Sequence, residues 1–113
     1  MLYTAQYNYH GPDRLDITVK GAPDSPFAPT WDMVMGVKNV TMTEQQYTDM
    51  YYQLLVTRCT QDPKPFQGLA QETGPGLDIT VVCFCPSGAF CHRHLLCAFM
   101  AHNFKTLIGG ERQ

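Results

Sequence analysis

The stretch that most restricts the fold is LDITVVCF, residues 77–84. After Asp78 it is apolar on both faces and rich in β-branched residues. Such a strand suits the centre of a sheet covered on both sides, not an edge with one face in water. A Pro86-Ser87-Gly88 turn follows, and then Cys91-His92-Arg93 opens the run CHRHLLCAFMAHNFKTLI, which reads as a helix ended by Gly109-Gly110. The rest of the chain has to supply strands to flank this one and helices to cover them.

Candidate elements for that task are present. LYTAQYNY alternates and predicts a first strand; HGPD is a turn; RLDITVK predicts a second strand that stops at Lys20-Gly21. GAPDSPFAPT is a loop, because its three prolines remove backbone donors and fix φ. WDMVMGVKNV fits either a short helix or a short strand. Thr43 and Gln46 form a capping-box pattern, and Tyr47, Met50, Tyr51, Leu54 and Leu55 fall on one helical face. TQDPKPFQGLAQETGPG reads as a polar loop with a turn of helix near residues 66–69. The pentapeptide LDITV occurs at Leu15–Val19 and Leu77–Val81. Five residues are too few for a repeat and reflect shared strand composition. Strands separated by helices give an α/β class, with a mostly parallel sheet flanked by helices in one domain spanning residues 1–113.

Composition narrows the partners. The net charge is −2, so no basic field draws the chain to nucleic acid, which is not expected as a partner. The amino-terminal segment lacks the pattern of a signal peptide, and no apolar run approaches the roughly 20 residues of a membrane span. Four of the five cysteines crowd between Cys83 and Cys97. That is not a disulfide framework, and it predicts free thiols in a reducing, cytoplasmic setting.

The cysteine cluster admits three chemistries. Cys83 and Cys85 share a strand face, so zinc held by them, Cys91 and a histidine is conceivable. Structural zinc knuckles, however, bring two well-separated cysteine pairs, and this chain has one cluster. On that ground neither a metal nor another cofactor is expected. A nucleophilic Cys91 would gain from a helix start and from His92, Arg93 and His94 nearby. The Cys-x5-Arg loop of cysteine phosphatases is not matched, since that spacing from Cys85 reaches Cys91, with Arg93 two positions later. An anion cradle uses the most residues: free N–H groups at the helix start, Ser87, the close approach allowed by Gly88, and the Arg93 fork. Residue by residue the bland assignments compete: Cys83 and Cys97 as core, and Arg93 paired with an acid such as Asp16.

CFCPSGAFCHRHLL resembles the domain-of-unknown-function family numbered 488, with Cys83 ending the strand and Cys91-His92-Arg93 opening the helix. YTAQY resembles that family's first strand, LDITVKG its second, and YTDMYYQLL its tyrosine-bearing helix with Tyr47 and Tyr51. The resemblance implies a compact Rossmann-like α/β fold in which Asp16 and the Cys-His-Arg segment meet at one cleft. Family members usually carry an arginine two residues after the aspartate, where this chain has Thr18. Many carry a glutamate at the place of Cys85. The loss of a cation and an acid suits holding a ligand better than transforming it.

The leading expectation is thus a domain that binds a phosphorylated or nucleotide-like anionic ligand at residues 83–93. Ser87, Gly88, His92 and Arg93 would hold the anion, with Asp16, Thr18 and Tyr7 beside them and Tyr9 and Trp31 as stacking walls. The alternative is an enzyme acting on an anionic substrate, with Cys91 as nucleophile, Arg93 as anion holder and His92 or Asp16 as acid or base. A third class is a protein-interaction module built on aromatic surface.

Overall fold

The computed structural model describes residues 1–84 and 91–112. Its centre is a four-stranded sheet of β1 (Leu2–Gln6), β2 (Arg14–Asp16), β3 (Ile79–Cys83) and β4 (Ile108–Glu111), in the order β2-β3-β1-β4. Every pairing is parallel. The α/β class and the parallel sheet expected from the sequence are therefore observed. β3 lies between two neighbours, and its Thr80, Val81, Val82 and Cys83 are all buried, as its two apolar faces require.

Among the described residues four helices pack around this sheet: α1 (Trp31–Lys38), α2 (Glu44–Gln61), α3 (Lys64–Gln71) and α4 (His92–Phe104). The Thr43–Gln46 capping box forms with both reciprocal bonds in place, at 3.1 and 2.8 Å. α2 buries Tyr47, Tyr51 and Leu55, at i, i+4 and i+8, while Met50 of the same stripe faces solvent. Thr30 caps α1 by accepting from Met33 N, which settles WDMVMGVK as helix. Among the described residues no helix is long and apolar enough to cross a membrane.

Three expectations need correction. The helix predicted to run to Ile108 stops at Phe104, where Lys105 adopts a left-handed conformation, φ 57°. Residues 108–111 then form a fourth strand on the edge of the sheet, so Gly109-Gly110 is strand and not helix stop. Gly109 fits there because the Tyr3 ring lies where its Cβ would be. The second strand ends at Asp16, short of Lys20. The polar loop contains a full helix, α3, which buries Phe66 and Leu69.

The proline loop between β2 and α1 is held from one side by α2. Tyr51 Oη donates to Phe27 O at 2.6 Å, and Arg58 Nη1 donates to Pro26 O at 2.9 Å and Ala28 O at 2.6 Å. Those three bonds replace the ladder that prolines forbid. They fix where α1 begins, and so where Trp31 stands.

Candidate functional site

Parallel alignment brings the carboxyl ends of three strands level, since Gln6 pairs with Cys83 and Asp16 with Val82. Ligand crevices of open α/β sheets lie at this end. A cavity of about 290 Å³ opens here. Thr18 and Lys20 line it on the β2 side, Trp31 and Tyr47 on the helical side, and Cys83, Phe84, Cys91 and His92 below.

The segment after β2 is folded tightly by one carboxylate. Asp16 Oδ1 accepts from Thr18 N at 2.8 Å and from Thr18 Oγ1 at 2.7 Å, and Asp16 Oδ2 accepts from Tyr7 Oη at 3.0 Å. Gly21 N closes the knot by donating to Thr18 Oγ1 at 2.8 Å. A side chain at Gly21 would overlap the Asp16 carboxylate. Tyr7 stacks on Phe84, with centroids 4.0 Å apart, and Arg14 covers the Tyr7 ring. Asp16 and Tyr7 therefore shape the rim from behind Thr18.

His92 and Arg93 open α4 side by side and point to different places. His92 Nε2 lies 2.8 Å from Ile17 O. That carbonyl can only accept, so Nε2 carries the proton and Nδ1 keeps its lone pair. Nδ1 is 3.6 Å from Cys91 Sγ. Burial lowers the His92 pKa to about 4; the Ile17 carbonyl opposes this and the Arg93 charge adds to it. The ring is therefore neutral near pH 7.

Arg93 is completely buried. Its Nε and Nη2 donate to the Glu111 carboxylate at 3.1 and 2.7 Å, and Nη1 donates to Cys83 Sγ at 3.0 Å. Thr4 Oγ1 also donates to Glu111. The partner of Arg93 is thus Glu111 on β4 and not Asp16, and Arg93 does not line the cavity.

The Cys83 and Cys91 sulfurs stand in bonding contact, with Cα atoms 7.7 Å apart. This corrects the expectation of free thiols throughout the cluster, because the end of β3 and the start of α4 bring these two sulfurs together; among the described residues Cys59 and Cys97 are free. Burial, together with the Glu111 charge, pushes the Cys97 thiol up to about 12, which leaves it inert at neutral pH.

Of the expected ligand residues, Thr18 and His92 face the cavity with Cys91, and Trp31 stands at its edge. Tyr9 is elsewhere, donating to Asp13 at 2.6 Å. Ser87, Gly88 and Cys85 lie outside the described residues. Sequence reasoning missed Lys20, Phe84 and Glu111. A lysine two residues beyond Thr18 at the end of a strand was the available signal for Lys20. Glu111 carried none, because its strand is invisible in IGGE.

Comparison with known proteins adds one finding. A family model described as DUF488-N3a, Active DUF488-N3 subclade, matches residues 18–104, more than half of the chain. Searches of curated proteins and of solved structures give no match.

Proposed function

Because the chain belongs to the DUF488 family, in a subclade whose description reads "active", we propose that its carboxyl-end cavity binds a small anionic, nucleotide-like ligand. The observation that carries this reading is the lining of the cavity: aromatic walls, two lysines, Lys20 and Lys38, and a neutral imidazole in one enclosure. Trp31, Tyr47 and Phe84 offer faces to a flat ring. Lys20 supplies a mobile positive charge at the rim, with its Nζ 5.8 Å from the Phe84 centroid. Thr18 and His92 are the polar groups that would orient the ligand.

Trp31 is the chain's one tryptophan and is 51% exposed, so its fluorescence reports on the cavity directly. Titration with nucleoside mono- and diphosphates should quench it saturably, and Lys20→Ala should weaken binding and reduce its salt dependence. No response to any nucleotide or to inorganic phosphate, by fluorescence and by calorimetry, would end this reading. Arg93→Ala is not a suitable test, since it removes a buried ion-pair partner and disturbs the fold itself.

A second reading rests on the Cys91–His92 contact. An imidazole with Nε2 pinned by a carbonyl and Nδ1 beside a thiol has the arrangement of a nucleophile and its base. It requires Cys91 free of Cys83. Rapid alkylation of Cys91 at pH 6–7, below the usual thiol pKa of about 8.5, would favour it.

A further inference from the structure

Three soft ligands meet at the floor of the cavity. Cys83 ends β3, Cys91 caps α4 and His92 opens it. Their ligating atoms lie within 4.8 Å of one another. All three residues are buried, and all three line the cavity. The 3.6 Å between Cys91 Sγ and His92 Nδ1 matches the edge of a zinc tetrahedron: sulfur at about 2.3 Å and nitrogen at about 2.0–2.1 Å from the ion stand roughly 3.5 Å apart. The other face of His92 is already committed to a backbone carbonyl, Ile17 O. That is the outer contact which fixes the tautomer of metal-binding imidazoles.

Two more observations bear on the two sulfurs. Arg93 Nη1 donates to Cys83 Sγ at 3.0 Å, which stabilises a thiolate there. The Cα atoms of Cys83 and Cys91 are 7.7 Å apart. Disulfides hold their Cα atoms within about 4.4–6.8 Å, and a span above about 7 Å needs backbone movement. Once the bond between them is reduced, that Cα spacing leaves the two sulfurs room to part to the roughly 3.8 Å that two zinc-bound thiolates require.

The geometry points to a zinc site made by Cys83 Sγ, Cys91 Sγ and His92 Nδ1, which among the described residues leaves a fourth position on the cavity side. Three protein ligands and one open position mark a zinc that engages a bound molecule, whereas structural zinc sites are closed by four. Loading zinc first needs the Cys83–Cys91 bond broken by two electrons from an external thiol, which is itself oxidised to a disulfide; zinc then displaces the protons of the two freed thiols to solvent, and the ion offsets the two thiolate charges it leaves buried. The sequence argument against a metal was the lack of a second cysteine pair; the fold supplies the third ligand from His92 instead. An oxygen of a phosphate or carboxylate fits the open position, and that consequence alone rests on the proposed binding function.

The test uses the full chain kept in a thiol reductant without chelator. Elemental analysis and native mass spectrometry should find one zinc per chain. Metal-free protein should take up one equivalent of zinc in competition with a chromophoric chelator. Cobalt(II) in its place should show thiolate charge transfer and the d–d bands of a tetrahedral site. Cys83→Ser and Cys91→Ser should each lower zinc affinity more than about 100-fold, beyond the 10–100-fold typical for loss of an outer-shell partner. Cys59→Ser should leave it unchanged. Because the two buried variants can unfold, the wild-type titration decides independently of them: a folded, reduced chain that takes up no zinc overturns the site. A Cys83–Cys91 disulfide that persists in reductant overturns it too, as does rapid alkylation of Cys91 in zinc-saturated protein. Zinc uptake with no nucleotide or phosphate response upholds the site and removes only the ligand reading; the converse result removes only the zinc.

Discussion

The pentapeptide LDITV has two fates in this molecule. In the first copy the strand stops at Asp16, and in the second it starts after Asp78. Asp16 finds Thr18 and Tyr7 within reach, and its carboxylate folds the backbone into a turn. Asp78 is half-exposed and faces the terminal amine and Arg112, so nothing interrupts the isoleucine, threonine and valine that follow. Ile17 then gives its carbonyl to His92, whereas Ile79 sits within the ladder. Thr18 lines the cavity, whereas Thr80 ties Asp13 and Arg112 into the sheet. One copy builds the site and the other builds the scaffold. Five residues set a tendency; what surrounds the aspartate decides where the strand ends.

Matched substitutions in the two copies probe that division. The largest difference is expected at the isoleucines. Ile17 is fully buried in the core, so Ile17→Ala should cost about 2–5 kcal/mol. The partly exposed Ile79 should cost less than about half of that. The urea midpoint at constant slope measures both, and equal losses would break the comparison. Asp16→Ala comes next, at about 1–3 kcal/mol, because it strips acceptors from Thr18 and Tyr7. It should also abolish nucleotide quenching of Trp31.

Thr80→Val should cost about 1–2 kcal/mol and change the response to acid. Burial pushes the Asp13 carboxyl up, but the Thr80 and Tyr9 hydrogen bonds outweigh it and hold the pKa below its ordinary value. A carboxylate lowered in the folded state stabilises the fold above its unfolded pKa of about 3.9, and that gain is lost as pH falls through the folded value. Without Thr80 the folded pKa moves back up, so the variant should lose less stability than wild type between about pH 5 and pH 2. Urea midpoints across that range supply the comparison, and parallel curves would refute the coupling. Asp78→Ala should have the smallest effect, within about 0.5 kcal/mol, since its ion pairs are exposed.

The sequence was readable where local chemistry and tertiary fate agree. The apolar strand before Cys83, the Thr43–Gln46 box and the proline loop each announce themselves, because spacing, capping and missing donors are local properties. The edge strand IGGE does not. Two glycines have no strand preference, and the segment is extended because β1 offers it a ladder and Tyr3 leaves room only for hydrogen. The same blind spot hid the use of Arg93. An arginine at a helix start beside cysteines suggests an anion, but its carboxylate arrives 18 residues later on that strand. His92 was legible as a site residue, while its carbonyl partner followed only from the early end of β2.

The buried Arg93 has a consequence for the cavity. Glu111 grips Arg93, and Arg93 grips Cys83, so β4 works as a latch on the cavity floor. Replacing Glu111 by alanine takes that carboxylate away. A change on the edge strand would therefore loosen the cysteines at the floor of the cavity without touching them.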